Sequence, residues 1–249
     1  MLFRSLSGTP IALVNGGAAM RVAGDAPYAG AGRVLETRSV DGNGNDWKAG
    51  LYAADGVASL GAFNETDAIT VAGWFKQTGQ NPSPGHNAIG LAGVLSGTSD
   101  GHLVRALLEV FEVKGVLRLV ALGRRLDDGR SWVYAASAPW NVLLPPDEWV
   151  HLAATFDFDR GQMRLYANGE ALAGEYTASD DPWAVGASDG PHFTSATDPA
   201  GIKIGGSFPH NTAEANPCNC RMDDLMFFDR VLSADEIAAQ YARFGAAVE

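Results

Sequence analysis

The sequence predicts an all-β fold in which two antiparallel sheets pack face to face. Three observations predict it. Residues 148–169, EWVHLAATFDFDRGQMRLYANG, hold two runs of period two around a turn. Thirty glycines and twelve prolines supply the many turns that short strands need. Of the 249 residues, 46% are hydrophobic and only 19% charged, which suits a large domain with a sizeable core. In the first run Trp149, His151, Ala153 and Thr155 share one face, and Val150, Leu152, Ala154 and Phe156 share the other. Asp157 to Gly161 makes the turn, and Met163, Leu165 and Ala167 alternate with polar residues beyond it. Asn168-Gly169 is a tight-turn signal, after which Ala171 to Tyr176 is expected to return as a third strand. Such a meander must bury a face, so a second sheet is expected.

The rest of the chain reads in order. Residues 1–45 form an N-terminal extension, expected to add edge strands near 11–14 and 18–22. Asp41 to Asp46, DGNGND, has the composition of half a calcium loop. It lacks the downstream glutamate of an EF-hand and is read as a polar turn. Residues 50–60 read as a strand pair about Asp55-Gly56, and residues 69–77 as a strand with Trp74 and Phe75 on opposite faces. A hairpin is expected about Lys114-Gly115, a strand over 132–137, and a turn at Pro145-Pro146-Asp147 leading into the meander. Residues 178–200 and 208–219 are loops on either side of a short strand at 201–205. Residues 221–228 form a long strand. Ser233 caps a short C-terminal helix, Glu236 completes a capping box, and Ile237, Tyr241 and Phe244 pack the helix on the sandwich. No composition shift marks a boundary, so residues 1–249 read as a single domain.

The same stretches resemble a known family. WVHLAATFD followed by LYANG, ITVAGWFKQ at 69–77 and RMDDLMFFDRVLSADEI at 221–237 stand in the order found in laminin-G-like domains, within the concanavalin A-like jelly rolls. The resemblance covers roughly residues 45–245 and implies a two-sheet antiparallel jelly-roll sandwich with a short C-terminal helix. It says less about function, because this fold serves lectins, adhesion modules and glycan enzymes alike.

Composition limits the partners. A formal net charge of -11 argues against nucleic acid and anionic membrane surfaces. No apolar run is long enough to span a bilayer. The first twenty residues make a poor signal peptide, yet the resemblance implies an extracellular or cell-surface module. Cys218 and Cys220, in C-x-C, are either a small disulfide or two free thiols.

Candidate chemistry concentrates in a few residues. Glu109 and Glu112, three apart on a strand, face opposite sides and cannot act as an acid–base pair. The E-x-D-x-x-E strand of the fold's glucanases and the motifs of its alginate lyases are missing. His151 matches the family histidine and is expected to be packed rather than catalytic. Asp223 is expected to share a buried face with Leu225 and Phe227, where a carboxylate needs a partner. The resemblance implies a structural calcium there, with backbone carbonyls from the turn at Asp55-Gly56; Arg221 or backbone amides are the alternative. A sugar site needs an aromatic platform and a few fixed polar groups. Trp183 with Asp180 and Asp181, in the 178–200 loop, are the candidate ligand-binding residues, with Trp132 or Trp140 alongside.

The expected function is therefore a non-catalytic binding module for carbohydrate. Its rivals are a protein-adhesion or structural module of a larger secreted protein, and a glycan-active hydrolase or lyase with a different active site.

Overall fold

The computed structural model describes residues 13–15, 21–28, 32–38, 50–53, 66–79, 88–95, 104–124, 131–177, 201–206 and 218–245. The described strands are β1 (Leu13–Asn15), β2 (Arg21–Ala23), β3 (Arg33–Thr37), β4 (Gly50–Ala53), β5 (Ala68–Gln77), β6 (Ala88–Leu95), β7 (Val104–Val113) and β8 (Val116–Arg124). They continue with β9 (Ser131–Ala136), β10 (Trp149–Asp157), β11 (Gln162–Ala167), β12 (Glu170–Ala171), β13 (Gly174–Tyr176), β14 (Gly201–Ile204) and β15 (Cys220–Phe228). A single helical turn, α1 (Trp140–Leu143), precedes β10, and α2 (Ala234–Gly245) follows β15.

Two sheets result, with every pairing of these strands antiparallel. One has eight strands in the order β1-β4-β14-β6-β7-β8-β9-β13, the other seven in the order β12-β11-β10-β5-β15-β3-β2. Side chains from their facing sides form the main core. Phe75, Val150, Leu152, Phe156 and Leu165 from the seven-stranded sheet meet Leu91, Leu108, Leu119 and Ile204 from the other. The alternation read in β10 is thus the inside–outside alternation of a sandwich. Phe75 takes the inward position on β5, and Trp74 faces the opposite way.

The outer face of the seven-stranded sheet is covered too. Ala72, Ala153, Tyr166, Leu232 and Ile237 form a second cluster beneath α2. The helix begins with the capping box read from the sequence: Glu236 N–H donates to Ser233 Oγ at 3.2 Å, and Ser233 N–H to Glu236 Oε2 at 2.8 Å. Glu236 also pairs with Arg230, and these bonds hold its carboxyl down at about 2. Among the described residues no helix is long and apolar enough to cross a membrane.

Both tight turns form where the sequence puts them. Lys114 and Gly115 have φ of 51° and 80°, and Asn168 and Gly169 have 49° and 82°. Positive φ at both central residues is the hairpin turn whose twist matches the strands.

Three expectations need correction. The third strand of the meander does not stay in one sheet: β12 pairs with β11, but β13 pairs with β9 across the sandwich. The switch falls at Leu172, whose N–H still donates to Leu165 O at 2.8 Å while its carbonyl accepts from Tyr134 Oη at 3.3 Å. The N-terminal extension does more than add edges. β1 and β2 are edge strands, but β3 lies between β15 and β2, with Val34, Leu35, Glu36 and Thr37 all buried.

The third correction concerns β15. Its register on β5 slips between Asp223 and Met226, and Asp224 adopts φ of 44°. This bulge breaks the alternation. Asp223 pairs with Trp74 on the outer face, whereas Leu225 and Phe227 pack on the main core. Leu225 fills the space over Gly73, where a Cβ would lie 2.5 Å from its Cδ2.

Gly174 tests the sheet switch. A Cβ there would meet Ala135 O at 2.5 Å and the Tyr134 ring at 2.7 Å, while one on Gly32 would meet nothing within 4 Å. Gly174→Ala is expected to lower unfolding free energy by about 1–3 kcal/mol in urea titration, and Gly32→Ala by far less. Equal effects would remove the close approach of β13 and β9 as an explanation.

Candidate functional site

The sandwich sets out its polar residues in three places. The first is a row across the outer face of the seven-stranded sheet. In β15, β5 and β10, Asp223 stands beside Trp74 and Trp74 beside His151.

Asp223 is buried, at 3% exposure. Its Oδ1 accepts the N–H of Asp224 at 3.0 Å, while Oδ2 has no partner among the described residues. Burial, and then the neighbouring Asp224 charge, push its carboxyl up to about 6. Arg221 does not relieve it: its Nε donates to Glu36 Oε2 and its Nη1 to Asp25 Oδ2, each at 2.8 Å. Asp25 also binds Lys76, closing a chain of charges over β3, β15 and β5. Asp224 accepts the Tyr28 hydroxyl. Asp223 thus presents one bare carboxylate oxygen, the group an oxygen-seeking cation would satisfy. Among the described residues no three His, Cys, Asp or Glu gather as metal ligands. Asp55 and Gly56, the expected carbonyl donors, lie outside the described residues.

His151 is fully buried, with neither ring nitrogen hydrogen-bonded among the described residues. Its ring centroid lies 5.5 Å from that of Trp74, edge to face, and 6.2 Å from that of Tyr241 on α2. Burial pulls its pKa down to about 4. The expectation of a packed histidine agrees with this geometry.

The second place is the edge where β9 meets β13. Trp132 is 8% exposed and part of the core, with its ring 3.8 Å from that of Tyr176. It therefore has no open face for a sugar: the inward side of β9 carries it into the sandwich. Trp140 opens α1 and is half-buried against the same core. Tyr176 is half-exposed, its hydroxyl accepting the Met163 N–H at 2.9 Å, and Arg164 reaches over Tyr134 at 5.8 Å. Tyr176 went unread as a site residue because it looked like one more alternating strand aromatic. From Thr177 the chain enters residues 178–200, so Trp183, Asp180 and Asp181 lie outside the described residues.

The third place is β7, where Glu109 is buried and Glu112 exposed, on opposite sides as expected. Near β14, Cys218 and Cys220 form a disulfide with both residues fully buried. Cys218 N–H donates to Gly205 O at 3.0 Å, and its carbonyl accepts Thr37 Oγ1 at 2.5 Å.

Two antiparallel sheets, a covering C-terminal helix and edge strands of both termini's halves define a jelly-roll β-sandwich. A family model described as the Concanavalin A-like lectin/glucanases superfamily, laminin-G type, matches residues 52–238. The chain belongs to that superfamily. Among solved structures, it is similar to the binding domain of botulinum neurotoxin DC in complex with SialylT: TM-score 0.54, 12% identity, covering 96% of this chain and 48% of that one. The binding domain of botulinum neurotoxin serotype G gives 0.53 at 14% identity, covering 95% and 47%. Trypanosoma rangeli sialidase, in complex with a difluoro-KDN, gives 0.50 at 14% identity, covering 87% and 28%. The chain thus spans half or less of these proteins, and the likeness is one of fold. No curated protein matches the sequence.

The raised Asp223 carboxyl makes a stability statement. A carboxyl lifted from 3.8 to about 6 favours the folded state below pH 4, and that contribution is lost as pH rises through 6. At pH 7 the loss amounts to about 3 kcal/mol. His151 works in the opposite sense over an overlapping range, so the readout is the difference between parent and variant. With chelator present, Asp223→Asn is expected to gain on the parent by up to that amount between pH 4 and pH 7, measured by urea titration. A constant difference would show that Asp223 is not a buried, ionising group.

Proposed function

We propose that this protein is a non-catalytic, extracellular carbohydrate-binding module. Membership of a lectin and glucanase superfamily is the observation that carries the reading. The neurotoxin binding domain whose complex carries SialylT, similar in fold over 96% of this chain, supports it. So does the separation of Glu109 and Glu112 onto opposite sides of β7, which denies that strand the paired carboxylates of a retaining glycosidase. The Cys218–Cys220 disulfide supports an oxidising, extracellular setting.

The site in this reading is the β9–β13 edge and the segment that continues from it. Tyr176 offers a partly open ring backed by Trp132, and Arg164, over the neighbouring Tyr134 ring, offers a charged donor. Trp183, Asp180 and Asp181 complete the aromatic-plus-carboxylate set a sugar requires. A glycan array run beside a reducing-sugar assay tests the function: binding without sugar release is expected. On a glycan hit, Trp183→Ala is expected to lose roughly 1–3 kcal/mol of affinity with unchanged melting, the range for a base stacked on an aromatic ring. Unchanged affinity removes Trp183 from the site, and release of reducing ends removes the non-catalytic reading.

Structural calcium at Asp223 belongs to the same proposal, supported by the bare Oδ2. Backbone carbonyls, including those of the Asp55-Gly56 turn, must supply most of the six to eight oxygens calcium takes. Calcium bound to the native state alone raises the melting temperature by mass action. Chelator is expected to lower that temperature in the parent and to leave Asp223→Asn unaffected. An identical response in both proteins would place any calcium elsewhere.

A further inference from the structure

The contact between α2 and the seven-stranded sheet is apolar at one end and unsatisfied at the other. Leu232 and Ile237 are fully buried against Ala72 and Ala153. One turn further along, Tyr241 covers Trp74 and His151, with ring centroids 5.7 and 6.2 Å away. Among the described residues, polar atoms lack partners here: both nitrogens of His151, Nε1 of Trp74, and Oε1 of Gln240 on α2. A neutral imidazole always carries one donor and one acceptor, so burying both unpaired already weakens this end of the contact.

A proton on His151 makes the imbalance much larger. The imidazolium would hold two unpaired donors and a full charge. Among the described residues, the charged and titratable groups around it give no relief. On β5, Lys76 is a like charge held by Asp25. On β11 the facing groups are Tyr166 and Arg164, the latter bonded to Met163 O. On β15, Asp223 stands on the far side of Trp74, and Arg221 is bonded to Glu36 and Asp25. On β12 there is Glu170, at the exposed edge. On α2, Tyr241 covers the ring, Glu236 is paired with Arg230, and Arg243 is a further like charge. Cation–π contact with Trp74 or Tyr241 offsets only a fraction of what burying an unpaired ion costs. The charged ring is stabilised by water, and Tyr241 on α2 is part of what covers it.

We propose that His151 is an acid-operated latch, whose protonation releases α2 from the sheet and uncovers the ring of Trp74 beside it. The sandwich core is separate from this contact, since Val150, Leu152 and Phe156 point to the other side of β10. Opening is therefore local. A histidine lowered from 6.5 to about 4 stabilises the closed state above pH 6.5 and loses that contribution as pH falls toward 4. Between pH 7 and pH 5 the opening constant rises by about 20-fold. Asp223 opposes this if the same opening hydrates it, because protonation favours its buried form. The Asp223→Asn background isolates the histidine.

Hydrogen exchange, corrected for intrinsic rates, tests the proposal on the full chain. In Asp223→Asn, amides of residues 234–245 are expected to exchange about 20-fold faster at pH 5 than at pH 7, while β7 and β8 stay protected. Adding His151→Phe is expected to abolish the difference. Equal acceleration throughout the sheets, or acceleration that persists with phenylalanine, overturns the latch. If the phenylalanine variant does not fold, the His151 ring resonances of the parent decide. Titration in the folded protein near 6.5 overturns the proposal. Failure to titrate until α2 has opened supports it. Neither result depends on whether the protein binds a glycan.

Discussion

The structure depends on covering both faces of β10 and β5. Between the sheets, Leu152 and Phe156 are fully buried beside Phe75; behind them, Ala72, Ala153 and His151 are fully buried as well. A strand with water on neither side can place all its backbone groups only in ladder hydrogen bonds, and β10 has a neighbour on each edge, β11 and β5. The eight-stranded sheet satisfies one face and α2 the other. Small residues make the second cover possible. Ala72 and Ala153 are short enough to admit Ile237, and Gly169 lets Ala238 approach, since a Cβ there would lie 3.2 Å from its Cα.

Much of this was legible in the sequence because local chemistry and tertiary demand agree. The period-two run at 149–156, the Lys114-Gly115 and Asn168-Gly169 turns and the Ser233–Glu236 capping box each rest on interactions among residues close in the chain. The misreadings share a cause in long-range packing. Alternation cannot report a bulge, so Asp223 was placed with Leu225 and Phe227 until the turn of backbone at Asp224 put it beside Trp74. Nor can it report a change of sheet, which depends on the fit of Gly174 against Tyr134. β3 was missed because a strand buried on both sides loses its alternating signature.

The candidate site was less legible than the fold. Trp132 looked like a loop-flanking platform, but the inward side of β9 owns it, and Tyr176 consumes its face. The exposed partner of that pair is the tyrosine, whose position only the pairing of β13 with β9 reveals. Asp223 was correctly marked as an aspartate needing a partner, though for the wrong face; the charge that seemed available to it, Arg221, is already committed to Glu36 and Asp25. Sequence spacing identifies which groups are unusual, and cross-strand register decides which of them meet.

The passage of residues 170–176 from one sheet to the other has a mechanical consequence. Elsewhere in a sandwich the layers meet through interdigitated side chains. Here Leu172 is hydrogen-bonded to one layer through its N–H and to the other through its carbonyl, two residues ahead of Gly174. Any shear of one layer past the other must stretch this short tether lengthwise. The edge at β9 and β13 is accordingly a line where hydrogen bonds of one residue register the two layers, and whatever emerges from Thr177, itself bonded to Val133 O, starts from a fixed post.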